Sequence, residues 1–306
     1  SKAAKKKSEI VINGQGLTDE QVEHIDDPDS PDEPNVPESL TPEQIAERQA
    51  KKQAKVARKK AIDILRGISI RMPLMIYGAD VPIDEDIDIG RFVDLVDNES
   101  WKEFMPQGVT KKLFTDFTKY YDRDVFIAAG KRIRKLAAEA DKETPTRRVQ
   151  QIAEIFRHFK NPDKETVLTP WRVVNLHMSD TIGGWCFFNE KFEDDTQEEK
   201  HRLEEPRFVD RETVTKEIFR EDGRVLEINS KTGLYPLYIA YSFYRQKMEG
   251  MTDDDWEPED CQYFWNEAIK NNVFVICKTP MAKSITRRTL CGFNDISVNA
   301  HCFDDL

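Results

Sequence analysis

The sequence has no long hydrophobic run. Nothing in its 306 residues approaches the ~20 consecutive apolar residues of a membrane span, and the longest apolar stretches, such as Pro73 to Tyr77, are strand-sized. It has no C-x-x-C either. Its five cysteines, at 186, 261, 277, 291 and 302, are odd in number and never closer than eleven positions. That excludes a zinc ribbon and a dense disulfide framework, and reads as reduced, mostly buried thiols of a cytoplasmic protein. The chain opens Ser1-Lys2-Ala3-Ala4-Lys5-Lys6-Lys7, with no apolar segment that could serve as a secretory signal. It also lacks an initiator Met, so it is read as a window cut from a longer polypeptide. There is no G-x-x-x-x-G-K-[ST] phosphate loop, hence no motor active site, and no internal repeat.

What is present is charge. Forty-six basic residues stand against fifty-seven acidic ones, for a net charge of −11, and the mean hydropathy is −0.66. Hydrophobic residues at 39% are enough for a core, and the length suits about two domains. Net acidity argues against non-specific nucleic-acid binding by the whole chain, but not against a local basic surface.

Charge is segregated. Asp19 to Glu38 contains nine acidic residues, no basic one and several prolines, so residues 1–40 read as a disordered acidic linker. Arg48 to Lys60 then contains seven basic residues and no acidic one. Thr41, Pro42 and Gln44 form a helix start, and Ala46, Ala50, Ala54, Ala57, Ala61 and Leu65 form a narrow stripe. This helix either touches DNA phosphates or is simply a solvated basic face.

Residues 41–160 read as mostly helical. Three amphipathic stripes stand out: Leu113/Phe114/Phe117/Tyr120/Tyr121, Phe126/Ala129/Ile133/Leu136/Ala137, and Val149/Ile152/Ala153/Phe156/Phe159 after Thr144-Pro145. Arg66 to Gly78, rich in β-branched and apolar residues, is the exception and reads as extended. After Lys160 the texture becomes α/β. Thr169-Pro170 opens a helix, and residues 189–212 form a charged loop. Strands Arg224 to Ile228, Val273 to Cys277 and Ile296 to Cys302 alternate with helices near Leu234 to Arg245, Pro258 to Lys270 and Lys283 to Leu290. That alternation argues for a parallel sheet.

The most informative segment is Val225-Leu226-Glu227-Ile228-Asn229-Ser230-Lys231-Thr232-Gly233-Leu234-Tyr235. A strand ends in an acid, turns through Gly and enters a helix. Ligands of open α/β sheets bind at such strand ends, where a carboxylate suits a cationic amine and glycine lets backbone approach. An ordinary strand–turn–helix corner has the same pattern.

Together with Val167-Leu168-Thr169-Pro170-Trp171-Arg172-Val173-Val174-Asn175-Leu176-His177-Met178, this segment resembles the DNA adenine methyltransferases of the gamma arrangement. Arg66 to Gly78, Asn161 to Pro170, Leu226 to Pro236 and Lys278 to Lys283 also look like single-polypeptide restriction–modification enzymes. Those enzymes string a nuclease, a helicase-like motor, a helical coupler, an adenine methyltransferase and a target-recognition domain along one chain. The resemblance covers roughly residues 60–306. It implies an α/β fold with a large α-helical N-terminal part: a helical coupler over 41–160, then an incomplete Rossmann-like methyltransferase sheet over 161–306.

The cofactor implied is S-adenosylmethionine. By matching position, Thr169 and Pro170 would line its methionine end. Glu227 would sit below it, Asn229, Thr232 and Gly233 would form the turn beside it, and Asp304 would lie near the adenine ring. The implied partners are double-stranded DNA in the full-length enzyme and adjacent motor and target-recognition domains, with no membrane.

The chain departs from the family where Lys231 replaces a turn glycine and Ile228 a proline, and where no acid follows the second strand at Lys278. Lys231 is expected to point outward. No Pro-Pro dipeptide occurs, so the motif that holds a flipped adenine is missing and the chain alone is expected not to methylate DNA. The alternative is a non-catalytic coupler that transmits the state of a motor to its neighbour.

Four other features have two readings each. Pro162-Asp163 with Glu198 and Lys200 matches the layout of metal-dependent nucleases, or is a pair of solvated loops. His177 is a packing residue or a catalyst. Lys283, Arg287 and Arg288 follow DNA phosphates or form a solvated face. Tyr235, Tyr238, Tyr241, Phe243 and Tyr244 pack a helix or stack on bases.

Overall fold

The computed structural model describes residues 42–159, 168–192 and 202–303. Its first element, α1 (Pro42–Gly78), is one long helix with Pro73 inside it. The extended reading of residues 66–78 is therefore wrong. Residues 71–79 are buried without interruption, so this end of α1 is apolar on every side because every side is covered. A short apolar run looks alike in a strand and in a buried helix, and packing decides between them. Polar side chains follow the helix as well: Ser69 Oγ donates to Leu65 O at 2.8 Å, and Arg71 Nη1 donates to Gly67 O at 2.7 Å.

Four short or medium helices follow with sharp starts: α2 (Ile89–Leu95), α3 (Asn98–Phe104), α4 (Lys111–Phe117) and α5 (Arg123–Ala140). Asp88, Asp97, Thr110 and Asp122 each accept a hydrogen bond from a first-turn amide, satisfying donors that the helix leaves free. Then comes α6 (Pro145–Arg157), with proline at its start as read from Thr144-Pro145. Most of the three stripes is buried, including Phe114, Phe126, Ile133, Ala137, Val149, Ile152 and Phe156. Tyr120 and Leu136 stay exposed at 39% and 41%, so they lie off the core face.

In the second half, α7 (Trp171–Thr181) leads into β1 (Gly184–Phe188), which pairs antiparallel with β2 (Arg202–Val209). Residues 202–209 of the expected charged loop are thus a strand. Its charged residues, Arg202, Glu204, Glu205 and Arg207, fall on both faces, while the ladder is made by backbone groups that composition does not reveal. After α8 (Thr213–Ile218) come β3 (Val225–Ser230), α9 (Leu234–Lys247), α10 (Pro258–Asn272), β4 (Val273–Cys277), α11 (Pro280–Cys291) and β5 (Asn299–Cys302). The three strands form a parallel sheet in the order β3-β4-β5, as the alternation predicts. One face is buried through Val273, Val275, Cys277 and Ala300. Leu226 and Ile228 point the other way and are 54% and 61% exposed.

The helical half and the α/β half share one core. Tyr77 Oη reaches Thr289 Oγ1 at 3.4 Å, Arg288 Nη2 donates to Ala79 O at 3.1 Å, and Ser284 Oγ donates to Gly78 O. Arg288 is buried and stacked on Phe293, so it belongs to neither a phosphate-binding nor a solvated face. All five thiols are free and buried. Among the described residues, no helix is long and apolar enough to cross a membrane.

Candidate functional site

The carboxyl end of β3 is built around a bulge. Ile228 pairs with Ile276 and Ser230 with Cys277, leaving Asn229 as an extra residue at φ +68°. Asn tolerates this left-handed conformation better than most residues. The bulge turns Ser230 inward, where it accepts a hydrogen bond from Thr286 Oγ1 at 3.2 Å. Ser230 was not singled out from sequence, and a polar residue after an Asn at a strand end is the only local signal.

Glu227 is half-buried, and its Oε2 is buried with no hydrogen-bond partner among the described residues. Burial pushes its carboxyl up to about 7, against a smaller opposing pull from the Ser230 hydroxyl. It lines a cavity of about 240 Å³ with His177, Met178, Tyr235, Pro236 and Phe274. His177 is exposed, with Nδ1 3.1 Å from Tyr235 Oη, so it sits on the rim rather than packing inside the helix layer. The Tyr235 phenol is raised by burial and by the nearby Glu227. Tyr238, Tyr241, Phe243 and Tyr244 are fully buried, as helix packing requires, and only Tyr235 of that set faces the cavity.

The raised carboxyl has a consequence for stability. Below pH 4.5, the group's ordinary value, Glu227 is protonated in both folded and unfolded chains. As pH rises toward about 7, the unfolded chain releases the proton first, so unfolding becomes easier. The expected loss is at most about 3 kcal/mol, complete above the folded value. Glu227→Gln should remove this loss and exceed the wild type in urea unfolding at pH 8, with little difference at pH 4. Equal behaviour of the two proteins at pH 8 would show that the carboxylate is not penalised.

The turn beyond has a different role from the one expected. Gly233 lies at φ +74°, and a Cβ there would meet Thr286 Cα at 3.0 Å and Thr289 Cβ at 3.1 Å. The Thr232 carbonyl accepts from Thr289 Oγ1 at 2.7 Å. Both residues are buried under α11, so this glycine serves close helix packing rather than ligand approach.

Lys231 does not point outward. Its Nζ lies 3.8 Å from Glu103 Oε1, whose side chain is 3% exposed. Glu103, on α3, also accepts from Thr279 Oγ1 at 2.5 Å, just past β4. An acid therefore stands at the end of the second parallel strand, but the helical half supplies it. No local pattern could reveal a partner 176 positions away.

Thr169 and Pro170 precede α7 and line a second cavity of about 300 Å³ with Phe156, Phe159, Trp171, Phe188 and Leu234. Trp171 Nε1 is buried there without a hydrogen-bond partner among the described residues. The structure thus brings Thr169 and Pro170 to the residue after Gly233. It does not bring them to Glu227, since the two cavities share no lining residue. Asp304, Pro162-Asp163, Glu198, Lys200 and Thr41 lie outside the described residues, as does the Gln44 side chain. Comparison with known families, curated proteins and solved structures finds no match to this chain.

Proposed function

We propose that this chain carries the S-adenosylmethionine-binding half of a DNA adenine-N6 methyltransferase, in an incomplete Rossmann-like sheet, fused to a helical coupler. The observation that carries the reading is the Glu227 carboxylate. It lies within the first parallel strand, with one buried oxygen that no described residue satisfies. A carboxylate with one buried, unsatisfied oxygen is costly, and a cationic group beside it would reduce that cost. S-adenosylmethionine is such a cation at its amine and its sulfonium, and when bound it supplies a methyl group for transfer to a nucleophile.

Glu227 would take the cationic part, in the cavity that it lines with His177 and Tyr235, while Thr169, Pro170 and Trp171 line a separate cavity. Lys231, drawn off toward Glu103, leaves the Glu227 carboxylate free of a competing cation. With no Pro-Pro-aromatic motif, the chain alone should bind without methylating.

The test is calorimetry with S-adenosylmethionine in buffers of differing ionisation enthalpy. Binding at pH 6.5 should release a fraction of a proton from Glu227, and Glu227→Gln should bind at least tenfold more weakly without that release. Absence of binding by the wild type would sink the reading.

One observation favours the second reading, a coupler that transmits motor state. The helical half touches the strand ends directly, through Glu103 with Thr279 and Lys231 and through the Ser100 hydroxyl, which accepts from Met281 N at 3.0 Å. A movement of α3 would reach the candidate site without an intermediary.

A further inference from the structure

The first half of α1 differs from the second in its burial. Every described side chain from Pro42 to Lys60 is exposed, including Val56 at 62%. The helix reaches the core only near Leu65. At about 100° per residue, Arg48, Lys51, Lys52, Lys55, Arg58 and Lys59 fall within one arc of about 120°. Ala46, Ala50, Ala54 and Ala57 occupy the opposite face. The basic face runs about 17 Å along the axis.

This arrangement is unfavourable by itself. Like charges recur at three- and four-residue spacing, as in 48/52, 51/55 and 55/59, which destabilises a helix. An ion pair, Lys51 Nζ to Glu47 Oε1 at 2.9 Å, offsets part of it. A polyanion laid along the face would relieve the repulsion.

We infer that this arm is a docking surface for the phosphate backbone of a nucleic-acid duplex. The composition argues for that partner over others. A membrane-surface helix needs bulky apolar anchors opposite its charges, whereas this face is alanine and residues 42–60 contain no Trp, Phe, Tyr or Leu. The absence of aromatics also removes the stacking platform of single-strand binders. Cations without base-reading geometry fit sequence-independent phosphate contact. The acidic segment Asp19 to Glu38 of the same chain is the competing polyanion. The inference rests on the arm alone, not on the cofactor reading, so either can fail without the other.

The experiment is fluorescence anisotropy with the 306-residue chain and a labelled 20-base-pair DNA duplex of arbitrary sequence, from 50 to 200 mM KCl. The variant replaces Lys51, Lys52, Lys55 and Lys59 with Gln, which keeps helix propensity at exposed positions. The wild type should bind, with an unrelated duplex bound equally well. The Gln variant should bind at least tenfold more weakly at 50 mM and show a shallower salt slope, by roughly 0.9 for each phosphate no longer neutralised. Replacing the same lysines with Arg should preserve binding, while all proteins keep the same thermal midpoint.

An unchanged slope in the Gln variant would overturn the inference. So would wild-type binding to phosphatidylserine vesicles but not to duplex. Duplex binding that appears only after deletion of residues 19–38 would overturn it too, naming the acidic segment as the occupant.

Discussion

Gly78→Val should cost at least about 3 kcal/mol of folding stability, at the upper end of what overpacking produces. A Cβ at this position would lie 2.3 Å from Ile285 Cγ1, 2.9 Å from Ile285 Cα and 3.0 Å from Ile285 N. The first contact is a side chain that could swing away, but the other two are the backbone of α11. Relief would require α1 and α11 to separate. That would also pull Tyr77 from its edge contact with Phe156, whose ring centroid is 5.2 Å away. Urea denaturation should show the loss, and adding Ile285→Ala should restore only a minor part of it because the backbone clash remains. A loss under about 1 kcal/mol for Gly78→Val would mean the two helices are not in close contact.

Arg148→Ala should cost about 3–5 kcal/mol, the penalty for stranding a buried charge. Arg148 and Asp141 are 5% and 7% exposed, with Nε 3.0 Å from Asp141 Oδ1. The guanidinium also donates to Thr289 O at 3.0 Å and to Arg288 O at 3.2 Å, near the end of α11, where Arg288 O also accepts from Gly292 N at 2.9 Å. Asp141 Oδ2 in turn accepts from Phe293 N at 2.7 Å. Removing the arginine therefore strips the Asp141 carboxylate of its charge partner and the Thr289 carbonyl of its guanidinium donor in one step. Arg148→Lys should lose much of the same stability, because an ammonium cannot reproduce the planar fork. Asp141→Asn added to Arg148→Ala should recover part of the loss by removing the unpaired charge. Thermal and urea unfolding of the wild type, Arg148→Ala, Asp141→Asn and the double variant measures the coupling, and additive single effects would show that the pair does not interact.

These two predictions sit where local reading was least informative. The capped starts of α2 to α5, the proline that opens α6 and the stripe residues Phe114, Ile133 and Val149 follow from residues within one or two turns of each other. The parallel strands are similarly local. Val273 to Cys277 is a five-residue apolar run that ends where β4 ends. β3 runs two residues past its expected end because of the bulge at Asn229, and β5 begins three residues later than expected at Asn299. Strand ends depend on pairing partners, not on the strand's own residues.

The candidate site was legible in outline. Gly233 occupies a left-handed position and α9 begins at Leu234, but Glu227 lies inside β3, which runs on to Ser230. The functions of individual residues were less legible. Gly233 admits a helix rather than a ligand, His177 sits on a rim, and Arg288 is a buried structural cation. Each correction turns on a neighbour distant in sequence: Thr286 for Gly233, Tyr235 for His177 and Ala79 for Arg288.

By itself, the sequence determined where α6, α7, α9 and α10 start, which faces of several helices are apolar, that three strands alternate with helices, and that opposite charges are segregated near the amino end. These properties depend on periodicity, capping and composition over short windows. Tertiary structure alone decided four things. Residues 66–78 are helical, because burial on all sides overrides their β-branched character. Residues 202–209 form a strand, because β1 offers a backbone ladder. The Glu227 carboxyl is driven upward, because the surrounding elements exclude water from it. Lys231 is turned to Glu103, because α3 brings a carboxylate to the strand ends. In each case the deciding energy comes from desolvation or pairing between distant segments, which no short window of residues contains.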